Sequence, residues 1–317
     1  MGRLPGLMHA EAESPCTVGN FGPGFDVLSL ALARRGDKVW VRTAEADKVT
    51  VRGPGHERVP TEWARNSACA SLDHLRKLTG RAEPLEVVIE KGMPPGSGLG
   101  SSASSNASAV RAFARLWGVA LSPLQALEAA AAGEAVATGS AHTDDVAAAL
   151  FGGLTVVGGK GPDAVIRLRP PPLHLVVARP EVDLPTREMR RLIPDALPKA
   201  AVVGNLSNVA RIVHACHRGD AAMLCRALED GISRPYRAPR VPLFEEARQA
   251  ALAQGAEAFL LSGSGPAMIA AMPAEKDPRA VESAMRDVFV KAALDAEVFT
   301  TQPLPEVKDP AIPLHPL

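Results

Sequence analysis

The segment PPGSGLGSSASSNAS, Pro94 to Ser108, sets three glycines and a run of hydroxyls directly ahead of an alanine-rich stretch. A cluster this dense is either a flexible linker or a loop shaped around a ligand. Its flanks decide between them. LEVVIE (Leu85–Glu90) is a short apolar strand that leads into it, and beyond it Val110, Phe113, Ala114 and Trp117 fall on one side of a helix over Ser101–Trp117. The segment is therefore a strand-to-helix connection. A glycine-rich turn at a helix N-terminus leaves backbone N–H groups pointing outward, and the helix dipole adds partial positive charge, so the place suits phosphate. Ser101 and Ser102, at the first helical positions, can hydrogen-bond a phosphate or enter the coordination shell of Mg²⁺. The same residues also suffice for a plain turn and cap. The segment is not a Walker A loop, since no GKS or GKT ends it, and it does not meet the spacing GxGxxG.

The 317 residues carry 35 Lys+Arg against 35 Asp+Glu and only 4% aromatics, which gives neither an electrostatic footprint for nucleic acid nor a base-stacking platform. A small-molecule ligand is expected. Cys16, Cys69, Cys216 and Cys225 form no CxxC pair, so neither a disulfide framework nor a zinc cage is indicated, and a reducing cytoplasm is the expected location. The opening MGRLPGLMHAEAES has too short an apolar run for a signal peptide. Ala126–Thr138 is broken by Glu128, Gly133 and Glu134, so no membrane span is expected.

Alternating polar and branched residues predict strands at Asp37–Thr43 and Lys48–Gly53, and Thr61 is a plausible N-cap for a helix that stops at Gly80. A second helix runs from Pro123 to about Val136, and strands follow at Gly153–Gly159 and Ala164–Leu168. RPPP (Arg169–Pro172) then interrupts regular structure, which sets a boundary between residues 1–168 and 169–317. The second part reads as strand (Leu173–Pro180), several helices between Thr186 and Gly255, and a strand, glycine turn and strand in AFLLSGSGPAMIAAM. An amphipathic helix (Pro278–Leu294), a strand (Ala296–Gln302) and a proline-rich irregular tail complete an α+β pattern.

PPGSGLGSSAS resembles the phosphate-binding motif of the GHMP kinases, which include galactokinase, homoserine kinase, mevalonate kinase and phosphomevalonate kinase. Two further segments resemble that family in the right order, ESPCTVGNFGPGFDVLSLAL and AFLLSGSGPAMIAA. Within the family, SPCTVGNFGPGFDVLSLAL, GSAHTDDVAAALFGG, PEVDLPTREMRRLIP and RPYRAPRVP resemble the homoserine kinases, and the likeness covers nearly the whole chain. It implies a ribosomal-protein-S5-like N-terminal domain with a left-handed βαβ crossover (1–168, ATP-binding) and a ferredoxin-like C-terminal domain (169–317). It also implies ATP-dependent phosphorylation of the side-chain hydroxyl of L-homoserine to O-phospho-L-homoserine in threonine biosynthesis, and a homodimer. The alternatives are a kinase for another small alcohol, mevalonate- or shikimate-like, and a non-catalytic binding protein of this fold.

Residue by residue, the resemblance implies that Pro94, Gly96, Ser97, Gly98, Leu99, Gly100, Ser101, Ser102 and Ser104 surround ATP, with Asn66 near adenine and Lys91 nearby. Ser102 and Glu134 would hold Mg²⁺. Asp26 and Asn20 would take the ammonium and hydroxyl end of the acceptor, Arg190 and Arg237 its carboxylate, with Thr186 and His142 completing the pocket. An arginine fork suits a carboxylate better than a lysine point charge. Taken singly, Glu134 reads as a solvated helix-end charge, Asp26 as a cap, the arginines as surface cations and His142 as a loop histidine. Their placement inside matching motifs favours the shared site.

Three departures from the family pattern stand out: Asp145 in place of Asn, Val18-Gly19 in place of Ser-Ala, and Ala148 in place of Pro. A second carboxylate beside Asp144 would repel phosphate unless paired with Mg²⁺ or protonated, or would approach the acceptor hydroxyl as a base. Other constellations are weaker. His214 and His217 lack a third ligand at zincin spacing, GxSxG does not occur, and SGSGP (Ser262–Pro266) taken alone is only a hairpin turn.

Overall fold

The computed structural model describes residues 8–158 and 161–314. The readings of the first seven residues, of the strand end at Gly159 and of the last three tail residues fall outside them.

The first sheet holds β1 (His9–Gly19), β2 (Leu28–Thr43), β3 (Lys48–Arg52), β4 (Leu85–Glu90), β5 (Leu154–Val157) and β6 (Val165–Leu168). Its order is β3-β4-β2-β5-β6, with β1 also paired to β2. β3 and β4 run parallel and are joined through α1 (Ser67–Thr79), while the other pairings are antiparallel. β2 starts nine residues before the alternation at Asp37 that marks it in the sequence, because Arg34-Arg35-Gly36 interrupts the pattern. α1 also differs from expectation. Trp63–Arg65 forms a short 3-10 turn, and the N-cap is Asn66, not Thr61: its side-chain oxygen accepts from the amides of Ala68 (3.1 Å) and Cys69 (3.3 Å).

On one face of this sheet lie α1, α2 (Ser101–Trp117), α3 (Pro123–Thr138) and α4 (Asp144–Phe151). Leu72, Leu75, Phe113, Leu127 and Phe151 pack there against Val39, Val41, Val87 and Ile89. α2 is buried nearly all round, and its small side chains let the other helices close on it. Its N-terminus is thereby fixed in the body of the protein.

The second sheet has the order β10-β7-β9-β8, from β7 (Leu173–Pro180), β8 (Ala258–Leu261), β9 (Met268–Pro273) and β10 (Ala296–Thr301), with every pairing antiparallel. Helices α5 (Thr186–Arg191), α6 (Lys199–Arg218), α7 (Ala221–Arg226), α8 (Arg234–Arg237) and α9 (Phe244–Ala253) connect β7 to β8, and α10 (Arg279–Lys291) connects β9 to β10. This is the split βαβ arrangement of a ferredoxin-like domain. The period of two along β7 serves two cores. Val176 and Ala178 face Phe244, Met285 and Phe289, whereas Leu175 and Val177 join Val18, Leu28, Leu30 and Leu154 of the first sheet. That second cluster welds the two sheets together.

The sheets divide between β6 and β7, at Arg169–Pro172. The proline-rich tail then returns to the first half: Leu304 N–H donates to Ala31 (2.8 Å), Val307 to Phe151 (3.0 Å), and Asp309 pairs with the buried Arg111 at 2.8 Å.

Candidate active site

The three glycine-bearing motifs meet at one place. Thr17 N–H donates to the Leu99 carbonyl (3.1 Å), Gly263 N–H to the Gly19 carbonyl (2.9 Å), and Ser262 Oγ to the Gly98 carbonyl (2.5 Å). The loop between β4 and α2 is thus clamped between β1 and the β8–β9 turn. Gly98 and Gly100 adopt left-handed φ values of 76° and 67°. A Cβ on Gly98 would stand 2.8 Å from the Gly265 carbonyl oxygen, and one on Gly100 would stand 1.8 Å from Thr17 Oγ1. Only glycine fits either position. Gly100 is also the N-cap of α2 and supplies no side-chain cap, so the first-turn amides are open to an anion.

Above this loop lies a cleft of about 250 Å³ between the two halves. It is lined by Gly96, Ser97, Gly98, Gly100, Ser101 and Ser102 from the loop, by Asn20 and Asp26 from the first motif, and by Glu134, His142, Asp144, Asp145, Thr186, Arg190 and Arg237. Five other expected contacts do not line it. Asn66 is used up as the α1 cap, Leu99 sends its side chain into the core, and Ser104 Oγ accepts from Asp37 N–H (2.7 Å) and donates to Ser14 O (2.8 Å). Lys91 is buried beneath the loop, paired with Asp37 and donating to Ser101 O (3.1 Å) and Ser105 Oγ (2.9 Å). Pro94 lines an adjoining groove with Arg58. Lys91 and Ser104 hold the loop and the start of α2 from below, since their polar groups are already satisfied by protein.

Four carboxyl groups line the cleft, and one of them, Asp26, is paired with an arginine. Glu134 accepts from Ser102 Oγ (3.1 Å) and Asn106 Nδ2 (2.9 Å), and burial pushes it up to about 7. Burial raises Asp144 and Asp145 as well, and the negative charge of nearby carboxylates adds to the rise, which the Thr17 and Ser29 hydrogen bonds oppose at Asp145. Asp145 is anchored through one oxygen: Oδ1 accepts from Thr17 Oγ1 (2.6 Å) and Ser29 Oγ (2.9 Å). Its Oδ2 sits beside Gly19, where an added Cβ would be 2.5 Å away. Two departures from the family pattern, Gly19 and Asp145, are therefore neighbours in space. Among the described residues Glu134, Asp144 and Asp145 have no lysine or arginine in ion-pair range, and such a group of carboxyls suits a cation.

Two guanidiniums also line the cleft. Arg190 forms a two-pronged pair with Asp26, Nη1 to Oδ1 at 3.0 Å and Nη2 to Oδ2. Arg237 is 2% exposed and donates to two carbonyls, of Met189 (3.2 Å) and Gly263 (3.1 Å). Among the described residues no carboxylate lies in ion-pair range of it, and burial, then the charge of Arg190, pulls it down to about 10. Such a guanidinium is an anchor for an incoming anion. Both guanidinium carbons stand 5.2 Å from the ring centroid of Phe25. Asn20 and Asp26 hold left-handed backbone, φ 55° and 56°, and Asn20 Oδ1 accepts from Asp26 N–H at 2.8 Å. Non-glycine residues in that region carry strain, which clusters at functional sites.

Sequence reasoning missed Thr17, Ser29, Phe25, Asn106 and Ser264, the last 3.2 Å from Thr186 Oγ1. Asn106 was findable, since it lies one helical turn beyond Ser102 on the same face. Thr17 and Ser29 had no local signal, because their partner is more than a hundred residues away.

Comparison with known proteins agrees with this geometry. Residues 66–153 match the family described as GHMP kinases N terminal domain, and residues 212–291 match GHMP kinases C terminal. The chain is 36% identical over 295 residues to a homoserine kinase of Pyrococcus abyssi, covering 93% of this chain and 97% of that one. The crystal structure of homoserine kinase from Cytophaga hutchinsonii superimposes with a TM-score of 0.86 at 29% identity, covering 96% of this chain and 98% of that one. The structure described as "L. major mevalonate kinase in complex with R-mevalonate" shares the fold at a TM-score of 0.72 and 18% identity, covering 96% of this chain and 99% of that one.

Proposed function

The chain belongs to the GHMP kinases, and from that premise we infer that it is a homoserine kinase, transferring the γ-phosphoryl group of ATP to the side-chain hydroxyl of L-homoserine. The product is O-phospho-L-homoserine, a step of threonine biosynthesis. One observation carries the assignment of the pocket: Asp26, Arg190 and Arg237, the counter-charges of a zwitterion, line the same cleft as the glycine loop and the Ser102–Glu134 pair.

In this reading the amides at the α2 N-terminus, with Ser101 and Ser102, hold the triphosphate. Arg190 and Arg237 take the acceptor carboxylate, Asp26 its ammonium, and Asn20, Thr186 and His142 aim the hydroxyl. Ser102 Oγ and the Glu134 carboxylate fit Mg²⁺, being hard oxygen donors 3.1 Å apart with a buried carboxyl that lacks a fixed cation. The bound metal would neutralise charge on the transferring phosphoryl group. That group passes through a loose transition state, so positioning of acceptor and phosphate dominates the rate.

Asp145 is better placed than Asp144 to accept the hydroxyl proton. Two hydroxyls donate to its Oδ1, and among the described residues no donor reaches its Oδ2, whereas Asp144 meets the Asn20 amide at 3.4 Å. Lys91, Leu99 and Ser104 become supports of the loop, and Asn66 the cap of α1. The same reading takes residues 1–168 as the ATP-binding domain and 169–317 as the second domain, a homodimer, and a cytoplasmic location, which suits cysteines that form no disulfide among the described residues. Among the described residues no helix is long and apolar enough to cross a membrane.

The test is ADP release by the purified protein with Mg-ATP and L-homoserine, mevalonate, shikimate, galactose or no acceptor. Homoserine-dependent turnover that is lost in Arg237→Ala supports the reading. Turnover with a different alcohol alone replaces the substrate, and tight nucleotide binding without turnover on any acceptor replaces the kinase.

A further inference from the structure

We propose that the Asp26–Arg190 ion pair is a charge-exchange filter, which admits an acceptor only when it carries an ammonium and a carboxylate together. This rests on the reading that the cleft takes an amino-acid acceptor. It adds a reason for the choice that no single contact supplies.

The two arginines of the cleft stand in different states. Arg237 is buried, bound only to carbonyls, and has no carboxylate in ion-pair range among the described residues. Arg190 is already neutralised, with both terminal nitrogens on the two oxygens of Asp26. The Asp26 carboxylate is held for that geometry. Its backbone is left-handed, its amide is fixed by Asn20 Oδ1 at 2.8 Å, and His142 Nδ1 approaches Oδ1 at 3.7 Å.

A ligand that offers only a carboxylate meets one open arginine and one that is occupied. To engage both it must part Arg190 from Asp26 and strand the aspartate beside its own negative charge. A ligand that offers only an ammonium must strand Arg190 next to the like charge of Arg237. Leaving one member of a hydrogen-bonded pair without a partner in a part-buried site is costly. A zwitterion avoids both penalties, because its ammonium replaces Arg190 on Asp26 while its carboxylate replaces Asp26 on Arg190. The site therefore rejects hydroxy acids and amino alcohols through the groups they would leave unpaired, a stronger discriminator than a missing contact.

The experiment measures the affinities of L-homoserine, 4-hydroxybutanoate (no ammonium) and 3-aminopropan-1-ol (no carboxylate) by calorimetry, on the wild-type protein and on Asp26→Asn and Arg190→Gln. Expected in Asp26→Asn is a loss of homoserine affinity of about tenfold or more, together with a gain for 4-hydroxybutanoate of about threefold or more over wild type. Arg190→Gln should mirror it, gaining for 3-aminopropan-1-ol. Each variant is close in size to the residue it replaces, and either arm alone tests the filter if the other variant does not fold. Unchanged or weaker binding of the matching one-charge analogue overturns it. A wild-type protein that binds homoserine no better than the analogues overturns the acceptor reading instead.

Discussion

Gly19 and Asp145 occupy one volume: a methyl group on Gly19 would lie 2.5 Å from Asp145 Oδ2. The glycine leaves room for this carboxylate, which lines the cleft, and Thr17 and Ser29 hold its other oxygen. Asp145→Asn keeps the shape and removes the proton acceptor. It should lower kcat by about a hundredfold, within the usual range for a general base, with KM for ATP little changed. The acid limb of the kcat profile should also flatten. Asp144, Asp26, His142 and Glu134 surround the group, so the limb is read as the difference between variant and wild type. Wild-type kcat in the variant removes Asp145 from the chemistry.

Phe25 should act through the arginines it touches. Phe25→Leu removes the ring from both guanidiniums and should raise KM for homoserine by about three- to tenfold at nearly constant kcat. Phe25→Trp, which keeps a π face, should restore most of it. Equal KM values for the leucine and tryptophan variants would show that the ring's electrons are irrelevant.

Glu134 makes stability depend on pH in the sense opposite to acid denaturation. Its folded value of about 7 lies above its ordinary 4.5. A carboxyl shifted upward contributes stability that is whole below its unfolded value and lost as pH rises through its folded one. Glu134→Gln imitates the protonated form. The unfolding temperature of the variant relative to wild type should therefore climb between pH 5 and pH 8, and Mg²⁺ with nucleotide should raise the wild type preferentially at pH 8. A difference that does not vary with pH contradicts the buried, uncompensated carboxylate.

Lys91 supports the loop without lining the cleft. Its ammonium and the Asp37 carboxylate are both buried, at 3% and 0% side-chain exposure. Lys91→Met strands Asp37 and should cost about 3–5 kcal/mol of stability in urea titration. Asp37→Asn added to it should return part of the loss. If instead stability holds and only ATP binding suffers, the lysine reaches the nucleotide after all.

The local part of this architecture was written in local sequence. LEVVIE, the Ser101–Trp117 helix and LHLVVARP have the observed bounds, because strand alternation and helical periodicity depend on residues a few positions apart. The phosphate loop was legible for the same reason, since glycine is the residue that most easily takes the left-handed backbone its turns need. The α1 start was misread because Thr61 and Asn66 are both good caps by residue type, and only the 3-10 turn at Trp63–Arg65 separates them.

Sequence motifs thus determined the family, the ligand classes and most of the residues that line the cleft. Tertiary structure alone decided how those residues are paired. Arg190 reaches Asp26 across 164 positions, Ser262 reaches Gly98 across the same separation, and Thr17 reaches Asp145 across 128. No periodicity spans such distances. They are closed by the apolar cluster that joins Val18, Leu28 and Leu154 to Leu175 and Val177, and the same packing that brings the counter-charges together commits Lys91 and Ser104 to holding the loop and the start of α2.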